Sequence, residues 1–243
     1  MENSIKSVVH KLKKIALDIL APRKCAGCGK SGESFCSECG KESFKYGAGC
    51  VFCNFRNNTG KICRTCKIKY EAPVLQILWA GEYKNPVKNA VKELKYRGRT
   101  ELAGPLAELL HKKFLEYQPK YSKENFAIIP IPMHPAKERA RGFNQAELLA
   151  EEFSKLSGIA MVNHLQKSAD TKTQVETKKK DERIKNLEGA FRVQGLGASI
   201  NNKTIILIDD VATTGATFMH ASRALQKSGF EKIICLAIAH GYG

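Results

Sequence analysis

No uninterrupted apolar run approaches the roughly 18 residues that a membrane-spanning helix requires, so the chain does not read as an integral membrane protein. A continuous apolar leader is missing as well. The apolar residues of Ile5 to Leu20 are broken by Lys6, Lys11, Lys13, Lys14 and Asp18, which argues against a secretory signal and for a cytoplasmic location. Acids are scarce: 24 Asp and Glu face 40 Lys and Arg, a formal charge of +16. Any one basic run reads as a solvated face, but the excess over the whole chain favours a polyanionic partner such as single-stranded nucleic acid or a phosphorylated metabolite. Branched aliphatics are thin across residues 23–70, where Gly, Lys, Ser and Asn prevail. That stretch cannot build an apolar core of its own.

Cysteine takes the place of the missing core. Eight of the nine cysteines form four CxxC pairs within 42 residues: Cys25-Cys28, Cys36-Cys39, Cys50-Cys53 and Cys63-Cys66. A CxxC turn aims two sulfurs at one ion, two turns complete a tetrahedral four-thiolate site, and metal binding then supplies the folding free energy that burial does not. Two structural Zn²⁺ ions are expected, each with four protein ligands and hence no open position for catalysis. Each such site carries a net −2, and the chain still stands at +12. A disulfide framework would call for a secretory context that is not seen. Sequential sharing leaves 7 and 9 residues between pairs and crossed sharing leaves 21 and 23. Neither matches the roughly 15–20 of the familiar ribbon, and two sequential ribbons are the preferred reading. The ninth, Cys235, sits in the apolar run Ile233 to Ala239 and reads as core. Ahead of the module, Ile5, Val8, Val9, Leu12, Ile15, Ala16 and Ile19 recur at helical spacing with lysines opposite, an amphipathic helix packed on the main domain and ended by Pro22.

Ile205-Ile206-Leu207-Ile208 has the continuous branched pattern of a strand buried on both faces of a parallel sheet. It leads into Asp209-Asp210-Val211-Ala212-Thr213-Thr214-Gly215-Ala216-Thr217, and a helix pattern with Phe218, Ala221 and Leu225 follows to a stop at Gly229. A strand, a small-residue turn and a helix start together make an anion site, because unpaired amides and the helix dipole both favour negative charge. Gly215 is expected to let the backbone approach a phosphate, and the hydroxyls of Thr213, Thr214 and Thr217 to add hydrogen bonds. Twin carboxylates at the carboxyl end of a strand suit the vicinal hydroxyls of a ribose. A Walker loop is excluded, since no Gly-Lys-Ser/Thr stands at the required spacing. The reading demands that the acids and the turn stand open to a ligand.

Phe126 to Ile131 reads as a second buried strand opening into a loop, Pro132 to Phe143, whose Lys137, Arg139 and Arg141 are placed for a pyrophosphate. Asn144 is set to cap a helix running through Leu156.

The acid-acid-TTGAT series closely resembles the motif with which type I phosphoribosyltransferases bind phosphoribosyl pyrophosphate (PRPP). The resemblance assigns Asp209 and Asp210 to the ribose hydroxyls, and Ala212, Thr213, Thr214, Gly215, Ala216 and Thr217 to the 5′-phosphate. Cysteine pairs behind an N-terminal helix, then LKYRGRTELA (Leu94 to Ala103), RGFNQAELLA (Arg141 to Ala150) and IILIDDVATTGAT (Ile205 to Thr217), occur in this order in the ComF (ComFC/GntX-like) family. The resemblance implies an α/β fold: a Rossmann-like parallel sheet of the type I phosphoribosyltransferase kind over residues 71–243, behind a helix at 1–22 and a double zinc ribbon at 23–70. It further implies PRPP with Mg²⁺ as ligand, single-stranded DNA and a DNA-uptake helicase as partners, and work on incoming DNA in natural transformation. The chain keeps Thr171, Gln174, Arg183, Asn186 and Gly189-Ala190-Phe191 of the family's mobile-loop series. It departs at Gln166-Lys167, where an Arg is usual, at Thr177, where a Leu is common, and at Pro132-Met133-His134-Pro135. The alternative reading is a nucleobase phosphoribosyltransferase of salvage metabolism, for which the loop around Tyr83 to Tyr96 is the candidate base-selecting element. A third is a zinc-ribbon nucleic-acid binder with a vestigial ligand site.

Overall fold

Three aliphatic runs and one mixed run lie side by side as a four-stranded, all-parallel sheet. The structure, a computed structural model, describes residues 23–44, 48–57, 59–73, 76–167, 187, 189–195 and 202–241. The expected N-terminal helix, and Thr171, Gln174, Thr177, Arg183 and Asn186, lie outside these residues. The sheet is built from β3 (Gln76–Glu82), β4 (Phe126–Pro130), β7 (Thr204–Ala212) and β8 (Ile233–His240), in the order β3-β8-β7-β4. Every residue of β4 and of β8 is buried, which is why those segments carry no polar alternation. Cys235 lies fully inside, as its apolar neighbourhood predicts.

β7 runs further than its aliphatic run suggests. It pairs in parallel with β8 through Val211↔Ala239 and Ala212↔His240, so Asp209 and Asp210 are strand residues and the turn begins only at Thr213. Helix α7 (Ala216–Lys227) follows, with Gly229 at φ +93° just beyond it.

Helices cover both faces. On one face, α7 lays Phe218, Met219, Ala221 and Leu225 against Ile205, Leu207 and Cys235. On the other, α3 (Val87–Arg97), α4 (Ala103–Tyr117) and α6 (Gln145–Ser157) pack Leu94, Leu106, Phe114, Leu149 and Phe153 against Ile206, Ile208 and Leu236. Each fully buried side chain of this kind contributes about 1.5–3 kcal/mol. An antiparallel pair, β5 (Leu165–Lys167) and β6 (Phe191–Val193), sits on the α7 face.

The segment Pro132 to Phe143 is not the loop expected. It contains helix α5 (Pro135–Arg141), started by Pro135, capped where the His134 ring accepts from the Ala136 amide, and closed by Gly142 at φ +85°. Asn144 caps α6 as expected. Its Oδ1 accepts from Ala146 N at 3.0 Å while its amide donates to Ile131 O at 3.1 Å.

The cysteine segments do not form a body of their own. The first, with α1 (Ser37–Ser43), places Cys25, Phe35, Cys39 and Phe44 in the core on the α3/α4/α6 face. The second, with strands β1 (Ala48–Gly49) and β2 (Arg56–Asn57) and helix α2 (Arg64–Tyr70), places Cys50, Val51, Phe52, Ile62 and Cys66 in the core on the α7 face. The two segments therefore flank the sheet from opposite sides.

Candidate ligand site and metal centres

Cysteines gather as the sequential reading predicts: Cys25, Cys28, Cys36 and Cys39 in one group, and Cys50, Cys53, Cys63 and Cys66 in the other, with all four sulfurs of each group within 4.8 Å of one another. Sulfur separations of 3.7 Å for Cys25–Cys39, 3.7 Å for Cys28–Cys36 and 3.6 Å for Cys53–Cys63 match the edge of about 3.8 Å that a ZnS₄ tetrahedron with bonds near 2.3 Å would have. The backbone prepares the sulfurs for charge. Burial opposes ionisation of Cys25, but the amides of Cys36, Cys28 and Gly27 outweigh it and bring that thiol down to about 6. The Cys66 amide brings Cys63 down to about 7, whereas burial pushes Cys39 and Cys66 up. Donor set, spacing and closure fit two zinc ions without an open coordination position.

The second cysteine segment also seats the threonine turn. A Cβ on Gly215 would lie 2.7 Å from Val51 Cγ1 and 3.2 Å from Phe52 Cε1, and Gly215 stands at φ +74°. Glycine is required here by the left-handed backbone and by the packed cysteine loop, which covers the side expected to face a phosphate. His240, at the end of β8, ties the two together: its Nδ1 donates to Ala212 O at 2.7 Å, and its Nε2 faces the Asn54 side-chain amide at 2.9 Å. Of the three hydroxyls, Thr213 is exposed and Thr217 half-buried, while Thr214 is buried and accepts from Ala216 N at 3.4 Å. Ala212, Gly215 and Ala216 are buried.

The twin acids differ. Asp210 is 3% exposed; its Oδ1 accepts from Val211 N at 2.8 Å, and its Oδ2 stands 2.6 Å from Lys95 Nζ. That second contact is an ion pair without the alignment of a hydrogen bond. Asp209 is half-buried, with Oδ1 accepting from Asp210 N at 2.8 Å. Burial raises its carboxyl to about 6 against the attraction of Lys95 and Lys167. Burial likewise lowers Lys95, which Asp209 pulls back up and Arg141 depresses further. The openness that the sequence reading demanded thus holds for Asp209, Thr213 and Thr217, and not for Asp210 or for Ala212, Thr214, Gly215 and Ala216, which are buried.

Lys95 also borders a crevice of about 350 Å³ lined by Tyr96, Lys137, Arg141 and Phe143. Arg141 stacks on the Tyr96 ring at 5.4 Å and donates to Gln145 Oε1. The expected pyrophosphate residues Lys137 and Arg141 are brought together there, while Arg139 lies exposed on α5 outside that lining. Sequence reasoning missed Lys95, Asn54 and His240, and it placed Tyr96 in a loop where the structure has helix α3. For Lys95 a signal existed, since it stands four residues after Val91 on the buried side of α3.

A four-stranded parallel sheet with acids and a helix start at its carboxyl edge fits the phosphoribosyltransferase class, and residues 106–241 match the family described as "Phosphoribosyl transferase domain". The chain is similar to "Competence protein F" of Haemophilus influenzae, with 30% identity over 213 residues and 86% of each chain covered. It is similar to "Competence protein ComFC" of Bacillus subtilis, with 31% identity over 206 residues, 82% of this chain and 81% of that one. "DNA utilization protein YhgH" of Salmonella typhimurium aligns at 25% identity over 207 residues, 84% and 83%. The chain belongs to the ComF/ComFC/YhgH family, with a phosphoribosyltransferase domain behind two four-cysteine clusters. Among the described residues no helix is long and apolar enough to cross a membrane.

Proposed function

We propose that this is a ComF-type competence protein that binds PRPP, or a related phosphoribosyl ligand, with Mg²⁺ at the carboxyl edge of its sheet and assists uptake or processing of incoming single-stranded DNA. The observation that carries the ligand half is the adjacency of three features. They are the Asp209–Asp210 pair, the turn from Ala212 to Thr217 at the start of α7, and the cationic crevice of Lys95, Lys137 and Arg141, joined to the acids through the 2.6 Å contact of Lys95 with Asp210. In this reading Asp209 takes one ribose hydroxyl, and Thr213, Thr217 and the first amides of α7 hold the 5′-phosphate. Lys137 and Arg141 face the pyrophosphate, with Arg139 at its outer side. Asp210 becomes available when Lys95 turns toward the incoming phosphates, exchanging one anion for another. The relatives' names support the DNA half, together with a charge of +16. A cytoplasmic location beside a DNA-uptake helicase completes the reading.

Titration calorimetry with PRPP and Mg²⁺ tests it. Binding is expected, and Asp209→Ala with Asp210→Ala abolishes it while two zinc ions per chain are retained. No heat with the unaltered protein would remove the ligand half. A second reading, a nucleobase phosphoribosyltransferase, is favoured by Tyr83, which approaches Gly241 beside Thr213 at the same edge and offers a flat wall for a base. Release of pyrophosphate from PRPP with any of a panel of bases would establish it. A deletion strain complemented with the double Asp variant shows whether transformation needs the site.

A further inference from the structure

A second cavity lies at the opposite edge of the sheet from the acids. It occupies about 980 Å³ against the amino ends of the strands, where Gln76 opens β3, Phe126 opens β4 and Thr204 opens β7. Four exposed lysines surround it: Lys61 and Lys67 from the second cysteine segment, Lys120 after α4, and Lys232 before β8. No Asp, Glu or Arg is among its lining residues. None of the four lysines forms an ion pair among the described residues. A smaller hollow of about 470 Å³ shares Asn202 and Lys232 with it and adds Lys203 together with Glu231.

We infer that this cleft is a binding track for the phosphate backbone of single-stranded nucleic acid. Its chemistry differs from that of the carboxyl edge. Recognition of a compact pyrophosphate favours the bidentate fork of arginine, and the lining holds none. Lysines are point charges that track a backbone of successive phosphates without fixing a geometry. Here they come from three separate segments of the chain, spread around a volume at the upper end of the roughly 300–1,000 Å³ of small-molecule sites. The Asn125 amide, and the Oε1 of Gln76 whose Nε2 already donates to Thr59 O at 2.6 Å, offer polar groups to unpaired base edges. The ring of Tyr121, held by its hydroxyl on Ser157 O at 2.9 Å, gives the wall a fixed aromatic edge. The site lies across the sheet from the ribose acids, so the two ligands do not compete for space.

The inference rests on the DNA half of the function proposed above and not on its PRPP half. The test uses the full zinc-loaded chain and a fluorescent 15-mer of thymidine, with anisotropy read from 50 to 200 mM salt. Each phosphate neutralised on a single strand contributes about 0.7 to the slope of log K against log salt. Four lysines account for a slope of about 3, or a loss of roughly 50-fold over that range. Replacing Lys61, Lys67, Lys120 and Lys232 by Gln removes that slope, while Lys120→Gln with Lys232→Gln removes about half and leaves the cysteine segment untouched. Zinc content and PRPP binding stay unchanged in both. Wild-type binding that survives these changes overturns the site and leaves the DNA role standing. So does binding lost only in Lys137→Gln with Arg141→Gln, which puts the strand at the other edge. A mononucleotide binding as tightly as the 15-mer overturns the track in favour of a small-anion site. A wild-type chain that holds no single strand at 50 mM salt sinks both the track and the DNA half.

Discussion

Replacing Gly215 by Ala should destabilise the protein through two separable costs. At φ +74° an L-residue in the left-handed region costs roughly 1–2 kcal/mol. The added methyl would also meet Val51 Cγ1 at 2.7 Å and Phe52 Cε1 at 3.2 Å, and overpacking of that kind costs about 1–3 kcal/mol. The single variant is therefore expected to lose about 2–5 kcal/mol. Val51→Ala creates space on the same spot and has its own cost of about 1–3 kcal/mol as a buried truncation. In the double variant the steric part cancels and the conformational part stays, giving a favourable coupling of about 1–3 kcal/mol. Urea unfolding of the zinc-loaded chain measures it. The fluorescence of the single tryptophan, Trp79, whose ring lies 4.6 Å from that of His240, reports on the same corner of the fold. Phe35→Ala, on the opposite face, serves as the control and should add to Gly215→Ala without coupling. Additivity of Val51→Ala and Gly215→Ala within about 0.5 kcal/mol would refute the contact between the cysteine loop and the threonine turn.

Asp209→Asn should stabilise the unliganded fold near neutral pH. Burial raises this carboxyl from its ordinary range near 4 to about 6, so the folded chain holds the proton more tightly than the unfolded one. The contribution is full below about pH 4, is lost as pH rises through 6, and is worth up to about 3 kcal/mol. Melting temperatures from pH 4 to 8 should fall for the wild type and stay flatter for the variant. Lys95→Met leaves Asp210 without its cation and should cost about 3 kcal/mol, most of it recovered by adding Asp210→Asn; denaturation of the three variants gives the cycle. Cys53→Ser should release one zinc ion and loosen the threonine turn, while Cys28→Ser releases the other and spares it. Zinc titration beside PRPP calorimetry separates the two, and equal loss of PRPP affinity would contradict the asymmetry.

Strands β4 and β7 were legible because a parallel sheet covered on both faces needs continuous apolar residues; β8 showed only as the apolar run around Cys235, and β3, whose apolar residues are broken by Gly81 and framed by Gln76 and Glu82, gave no such run. The cysteine grouping was legible because CxxC turns are local. Helix α5 was not, since none of its residues is buried and it therefore carries no apolar period; only His134, Pro135 and Gly142 marked it. The ion pair of Asp210 with Lys95, and the cover that Val51 and Phe52 place over Gly215, join residues far apart in the chain, and no spacing rule announces such contacts. The same holds for the link from Asn54 through His240 to Ala212. Gly215 was noticed for a sound reason, its freedom of backbone, but what presses against it comes from the other end of the molecule.

That the two cysteine segments straddle the sheet has a consequence for how the chain assembles. Each cluster closes through loops of a few residues, so it can capture its ion as soon as it leaves the ribosome. Phe35 and Phe44 on one find α4 soon afterwards, through Pro105, Lys112 and Lys113, whereas Val51 and Phe52 on the other wait for Gly215 and α7 near the far end of the chain. A nascent chain therefore carries a finished metal knot with one bare greasy flank while it waits for its centre. Zinc starvation and slow elongation should accordingly reduce its yield by different routes, one by leaving the knots untied and the other by prolonging that flank's exposure.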